Sequence, residues 1–341
     1  MNADQIFMNR CLELAAQGKY YVAPNPMVGC VFVKDNMIVS EGYHRGFGMP
    51  HAEVDAFENL PNDINASECD IYVNLEPCSH FGKTPPCAEL ITKIRPNRIV
   101  IGAQDPNPLV SGKGIQHMVG AGITVVENIL SDECMGLNKF FYSAYQNKVP
   151  FITLKWAETK DSFIGRLEND SSNRKISDQR NDAFVHDLRA SHQAILVGAI
   201  TLTQDNPLLN VRYSDGKDPI KIILSPNLSI DMEASTLKIG HTIVYNSKTS
   251  IKKDNVELVL LENFTLSNVL HDLYQRNIHS VLVEGGAKTL QHFIDLEYWD
   301  EIIKLKSSES WNDGVPAPHL SIEPNRKKKS FNDIISFYNR S

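Results

Sequence analysis

One histidine, one glutamate and two cysteines constrain this chain more than anything else in it. His51 and Glu53 stand in "HAEVDAF" (51–57), and Cys78 and Cys87 in "LEPCSHFGKTPPC" (75–87). An imidazole and two thiolates supply three ligands to a tetrahedral zinc and leave its fourth corner open to water. A fold that uses them must bring two separate segments to one point. Each block follows an apolar run of strand character, residues 28–33 and "IYVNL" (71–75), and each reads as the start of a helix. Pro77 before Cys78 and Pro85-Pro86 before Cys87 suit a first helical turn. The positive end of a helix dipole stabilises a thiolate there.

Glu53, two residues past His51, would stand beside the bound water and move its protons, as in the zinc-dependent nucleobase deaminases. The general signature of those enzymes has two residues between its cysteines, whereas eight intervene here. Each block alone has an ordinary explanation, a surface His-Glu pair or two small buried thiols. Together they point to a zinc site. His80 or His44 could add a fourth ligand and make the zinc structural, so coordination number separates the two readings.

A length of 341 residues suggests two domains. With 42% hydrophobic and 22% charged residues the composition is that of a globular protein, and no apolar run is long enough to span a bilayer. "MNADQIFMNRCLELAAQ" places Met8, Cys11, Leu12 and Ala15 at helical spacing without the apolar core of a signal peptide. A folded first helix and a cytoplasmic location are expected. In a reducing compartment the close pair Cys78 and Cys87 suits a metal, while Cys11, Cys30, Cys69 and Cys134 read as structural. The net charge of −7 argues against nucleic acid as a partner. The short basic run Arg326–Lys329 reads as a solvated loop.

Helix and strand patterns alternate through the first half. A helix at about 4–17 precedes a hairpin of 28–33 and 37–43, turned at Asp35-Asn36. Helices from 51 and 86 then alternate with strands at 70–75 and 98–103. A helix at 113–120, a strand at 123–126 and a helix at 131–146 complete a sheet layered with helices. A break falls at 147–157, where Pro150 leads into a new strand. The second half predicts strands at 151–156, 194–198, 220–224, 241–245, 256–260 and 279–283, and helices at 178–190, 266–277 and 286–296. The C-terminal stretch, with Pro316 and Pro318, is weakly patterned and reads as loop.

With these residues in place, the first half resembles the pyrimidine deaminase domain of the bacterial bifunctional riboflavin biosynthesis deaminase/reductases. The resemblance is carried by "APNPMVGCVFV" (23–33), "GYHRGFGMPHAEVDAF" (42–57), "NLEPCSHFGKTPPC" (74–87) and "IGAQDPNPLVSGKG" (101–114). The long Cys-to-Cys spacing separates this family from cytidine and transfer-RNA adenosine deaminases. The second half is similar to the matching reductase domain through "LRASHQAILVGAITLTQDNPLLNVR" (188–212) and "VLVEGGAKTL" (281–290). The resemblance implies a cytidine-deaminase-like α/β domain over 1–146 and a dihydrofolate-reductase-like α/β domain over 147–341. It implies zinc and NADPH as cofactors, a phosphorylated pyrimidine as substrate, and a homo-oligomer, dimer or tetramer.

Carried over by position, His51, Cys78 and Cys87 match the zinc ligands and Glu53 the proton-shuttling acid. Asn25, His44, Lys83, Asp105 and Asn107 match the deaminase substrate pocket. In the reductase half Arg189, Leu209, Arg212 and Glu284 match substrate positions. Ala157, Thr201, Asp205, Gly285, Gly286 and Ala287 match cofactor positions. The Gly pair after a strand can let backbone amides approach a phosphate at a helix start, though it lacks the six-position dinucleotide fingerprint.

The implied reactions are hydrolytic deamination of the pyrimidine, then hydride transfer from NADPH that turns the ribosyl group into a ribityl chain. Three segments depart from the family pattern: Thr159–Ser162, Asn173–Ser177 with Lys175 at a position the family fills with Trp, and 300–320. Those departures leave a second reading open, an active deaminase whose second domain serves dimerisation or substrate holding. A nucleic-acid-editing deaminase is disfavoured by the acidic charge.

Overall fold

The computed structural model describes all residues except 80–84, 109, 168–174 and 341. The chain forms two compact units, Met1–Lys148 and Val149–Ser341.

The first unit runs α1 Ala3–Ala16, β1 Gly29–Lys34, β2 Met37–Tyr43, α2 Ala52–Glu58, β3 Asp70–Leu75, α3 Cys87–Ile94, β4 Arg98–Ala103, α4 Lys113–Gly120, β5 Thr124–Val126, α5 Ser131–Leu137 and α6 Lys139–Asn147. Its sheet has the order β2-β1-β3-β4-β5. β1 pairs antiparallel with β2 and β3, and β3, β4 and β5 run parallel. Strand side chains alternate between two cores, as a sheet covered on both faces requires. Cys30 and Phe32 of β1 join Ile71, Ile91, Ile99 and Met118 on one face. Val31 and Val33 join Met8, Tyr72, Val100 and Phe141 on the other. An Asn2–Gln5 capping box starts α1.

The single helix expected over 131–146 is two helices. Asn138 leaves helical geometry at φ −102°, ψ 28°. Its buried amide accepts from Met27 N at 2.7 Å and donates to Met27 O at 2.9 Å, which ties the break to the segment holding Asn25.

The second unit runs β6 Phe151–Glu158, β7 Phe163–Gly165, α7 Asp182–Ser191, β8 Ala194–Gly198, α8 Ala199–Asp205, β9 Ile220–Leu224, α9 Ser235–Lys238, β10 Thr242–Asn246, β11 Ile251–Lys253, β12 Val256–Leu260, α10 Leu266–Gln275, β13 Ser280–Val283, α11 Ala287–Asp295, β14 Glu301–Lys306, β15 Val315–Pro316, β16 Arg326–Ser330 and β17 Asp333–Asn339. A ten-stranded sheet has the order β11-β12-β10-β9-β8-β13-β6-β14-β17-β16, with β12 through β14 parallel. Chain order reverses around β8, β13 and β6, and in open parallel sheets ligands bind at the carboxyl ends of strands at such a point.

The C-terminal stretch is loop only in part: residues 307–314 and 317–325 are irregular, and strands occupy most of the rest. β14 continues the parallel run beside β6, and β17 and β16 close the sheet edge as a hairpin. Arg326–Lys329 forms the edge strand, not a loop, and its cationic side chains are exposed. Lysines on an edge strand discourage further strand addition, which accounts for a strand without an apolar face. The departing segment 300–320 therefore still supplies sheet at β14.

Candidate active site

In the first unit the metal-type ligands come from three places. His51 is the residue that begins α2, Glu53 lies in its first turn, and Cys87 is the first residue of α3. Cys78 does not open a helix as its Pro77 suggested. It lies in the irregular segment after β3, where its carbonyl accepts Ala88 N at 3.1 Å and its sulfur accepts Cys87 N at 3.3 Å. The start of α3 thereby replaces a helix of Cys78's own.

His51 Nδ1 lies 3.6 Å from Cys78 Sγ and 3.4 Å from Cys87 Sγ. Ligands at ordinary Zn–S and Zn–N lengths, arranged tetrahedrally, stand about 3.5 Å apart in N···S distance. The three donor atoms, all within 4.8 Å of one another, thus fit zinc. Among the described residues no fourth ligand joins them. His44 is otherwise engaged: Nδ1 lies 2.9 Å from Pro50 O and Nε2 3.1 Å from Asn25 Nδ2. Since a carbonyl only accepts, His44 Nδ1 carries the proton and Nε2 accepts from the Asn25 amide. His80 is outside the described residues.

Electrostatics follow from burial and sharing. A hydrogen bond from Cys87 pulls the Cys78 thiol down to about 4, with His51 adding to the effect against burial. The same sharing and burial push Cys87 up. The hydrogen bond with Cys78 raises His51 to about 9. Burial pushes Glu53 up, although the His51 charge opposes it. Burial also lowers His44 and raises Asp105 to about 6, the latter helped by Glu76 and Cys78.

These groups line one cavity of about 230 Å³ that brings together Asn25, His44, His51, Glu53, Cys78, Asp105 and Asn107, with Phe141 and Tyr145 as aromatic walls. Lys83 lies outside the described residues. Sequence reading passed over Glu76 and Asn74, although both stand inside a quoted motif. Asn74 Oδ1 accepts from Gly29 N at 2.8 Å and its Nδ2 donates to Met27 O at 3.1 Å, which holds the Asn25 segment against β3.

In the second unit a buried ionic cluster sits at the carboxyl ends of the central strands. Arg189 of α7 grips Glu284 in a two-pronged pair, Nε–Oε1 3.0 Å and Nη2–Oε2 2.7 Å. Burial pushes Glu284 up, but Arg189 and Lys155 outweigh it and hold the carboxyl at about 2. Arg189 also donates to Asn210 O at 3.3 Å, and Arg212 N donates to His186 Nδ1 at 2.9 Å. Buried Leu209, at φ +53°, belongs to the same tethered loop. Burial lowers His186 to about 4, with Arg189 and Arg212 adding to it, so it stays neutral at neutral pH.

Lys155 and His186 were missed. Lys155 carried a signal, a lysine inside the apolar strand "FITLKWA"; burial lowers it, and Glu284 opposes that effect.

Gly285 follows Glu284 so closely on β8 that a Cβ there would lie 2.6 Å from Val197 Cβ and 2.7 Å from its Cα. Gly286, at φ +62°, begins α11 and would bring a Cβ to 2.9 Å from Thr201 Oγ1. The cradle fits a phosphate-bearing cofactor at a helix N-terminus. Thr201 and Asp205 lie on the neighbouring α8, and Ala157 on β6. Of the departing residues, Lys175 pairs with Asp182 at 2.6 Å on the surface, and Asp161 accepts from Trp311 N and Asn312 N.

The two units define a zinc-binding nucleobase deaminase joined to a reductase. Residues 1–103 match the model of the cytidine and deoxycytidylate deaminase zinc-binding region, and 150–305 that of the RibD C-terminal domain. The chain is 37% identical to riboflavin biosynthesis protein RibD of Aquifex aeolicus over 99% of this chain and 98% of the relative. It is 40% identical to that of Bacillus amyloliquefaciens over 88% and 83%. It superposes with TM-score 0.89 and 34% identity, over 99% of both chains, on the diaminohydroxyphosphoribosylaminopyrimidine deaminase/5-amino-6-(5-phosphoribosylamino)uracil reductase of Thermotoga maritima. The chain belongs to the RibD family, bifunctional riboflavin biosynthesis proteins with a deaminase and a reductase domain. Among the described residues no helix is long and apolar enough to cross a membrane.

Proposed function

We propose that the first unit deaminates 2,5-diamino-6-(5-phosphoribosylamino)pyrimidin-4(3H)-one and that the second reduces the ribosyl group of the product to ribityl with NADPH. The observation that carries the deaminase assignment is the three-ligand His51, Cys78 and Cys87 set at zinc spacing beside buried Glu53. His51, Cys78 and Cys87 would hold the zinc, which when bound makes water a nucleophile near neutral pH. Glu53 would take a proton from the attacking water and return protons to the ring nitrogen and the departing amine, so that the water oxygen becomes the ring carbonyl and the amine leaves as ammonia. Its burial raises its hold on a proton above that of an ordinary carboxyl, the direction a proton shuttle needs. His44 Nε2 holds the Asn25 amide nitrogen, which leaves Asn25 Oδ1 to accept from the pyrimidine. Asp105 and Asn107 form the facing wall, and Lys83 is assigned the substrate phosphate.

In the second unit Arg189, Leu209, Arg212 and Glu284 form the substrate side. Ala157, Thr201, Asp205 and the Gly285-Gly286-Ala287 turn would hold NADPH, which would supply the hydride. The intact Arg189–Glu284 pair and the match to the reductase family model support a working reductase over a module that only dimerises or holds substrate. We place the domain boundary at 146/147, two residues before the division between the compact units at Lys148 and Val149.

The protein acts on a small phosphorylated pyrimidine rather than nucleic acid, consistent with its net charge of −7. Six free cysteines suit a reducing cytoplasm. Assembly as a homo-oligomer, dimer or tetramer, rests on the resemblance. Zinc-loaded protein given the diamino substrate without NADPH should release ammonia and accumulate 5-amino-6-(5-phosphoribosylamino)uracil, which added NADPH then consumes. Absence of ammonia release would refute the assignment.

A further inference from the structure

Glu76 is nearly fully buried, two residues before Cys78, and lines the same cavity, yet both oxygens of its carboxylate are taken up by backbone amides. Oε2 accepts from Asp105 N at 3.3 Å and Gly112 N at 2.9 Å. Oε1 accepts from Gly114 N at 3.0 Å and Ile115 N at 3.3 Å. Gly114 and Ile115 belong to the first turn of α4, whose amides have no partner within the helix. The anion therefore meets the positive end of α4, and no side chain of α4 caps it.

We propose that Glu76 is a positioning residue of the deaminase, the brace that fixes the two ends, at Asp105 and Gly112, of a loop beside the pocket. That loop brings Asp105, Asn107 and Val110 to the cavity wall. Asp105 Oδ1 in turn accepts Asn107 N at 2.7 Å, so the brace passes from Glu76 through the Asp105 backbone to Asn107. The fit leaves no slack. Glu76 N donates to Ala103 O at 2.9 Å, and a Cβ on Gly114 would lie 2.2 Å from Pro77 O. The segment that carries Cys78 and the segment that carries the substrate wall are thus locked at both ends of one carboxylate. Bonds between an anion and several amides are strong and costly to lose when buried. A glutamine keeps one acceptor but turns an NH2 toward two N–H donors.

This inference rests on the proposed deaminase function. Its test is a double-mutant cycle of Glu76→Gln and Asn107→Ala in the full-length, zinc-loaded protein, read as ammonia release from the diamino substrate. Glu76→Gln should raise KM about tenfold or more with kcat changed far less, the pattern of lost ground-state positioning. Asn107→Ala should add little in the Glu76→Gln background, because the loop is already displaced. Zinc stoichiometry and NADPH oxidation with 5-amino-6-(5-phosphoribosylamino)uracil should match wild type, which separates positioning from unfolding. Glu76→Asp, which keeps the anion under α4, should raise KM less than Glu76→Gln. Effects that simply add, a loss confined to kcat, or zinc loss in both Glu76 variants would overturn the inference while an active wild type leaves the deaminase function standing. An inactive wild type would sink both.

Discussion

The buried pair Arg189–Glu284 makes the reductase unit measurably dependent on one carboxylate. Glu284 side-chain exposure is 7% and that of Arg189 is 13%, so water does little to screen either charge. Replacing Glu284 by glutamine keeps the shape and leaves the Arg189 and Lys155 cations buried together. Breaking a buried pair from one side costs about 3–5 kcal/mol. An independent figure comes from linkage: a carboxyl held at about 2 against its ordinary 4.5 contributes on the order of 3 kcal/mol at neutral pH. Below pH 4.5 the unfolded carboxyl takes up a proton that the folded one refuses until about pH 2, so the contribution is complete above 4.5 and is lost as pH falls toward 2. The chain supplies its own probe. Its three tryptophans, Trp156, Trp299 and Trp311, all lie in the second unit, so urea unfolding followed by their fluorescence reports on that unit. Glu284→Gln should lower its unfolding free energy by about 3 kcal/mol at pH 7. The gap from wild type should narrow between pH 4.5 and 2. Adding Arg189→Met should recover much of the loss, since it removes the buried cation that Glu284→Gln leaves uncompensated. A loss below about 1 kcal/mol, the scale of an exposed ion pair, or a gap that ignores acid pH would refute the reasoning.

Three further outcomes follow from the site geometry. Chelation of zinc should abolish ammonia release while NADPH oxidation with the deaminated pyrimidine persists, and Cys87→Ser should lower zinc stoichiometry measured by atomic absorption. Gly285→Ala, which drives a Cβ into the Val197 backbone, should raise KM for NADPH or destabilise the second unit by about 1–3 kcal/mol, read by cofactor titration and the same tryptophan signal.

The deaminase site was legible because metal and proton chemistry needs particular residue types in short motifs, and His51, Glu53, Cys78 and Cys87 carry them. That Asn25, His44, Asp105 and Asn107 line one cavity was anticipated chiefly through family resemblance, since little local in Asp105 or Asn107 announces a ligand. Glu76 and Asn74 were opaque for a different reason. They act on backbone groups of distant segments, and no spacing in the sequence records which amide a buried carboxylate will meet. The break at Asn138 has the same origin, because its side chain serves Met27 rather than its own helix. The β16–β17 hairpin escaped notice since an edge strand of "RKKKS" has no apolar face for a pattern to show.

On the proposed mechanism Glu53 moves the protons of deamination beside the His51, Cys78 and Cys87 site, independently of the reductase. Its most direct test is Glu53→Gln in zinc-loaded protein, with ammonia and NADPH absorbance followed together. From the diamino substrate both signals should vanish, while NADPH oxidation with 5-amino-6-(5-phosphoribosylamino)uracil continues at the wild-type rate and zinc content stays unchanged. Ammonia release that survives the substitution would contradict the account.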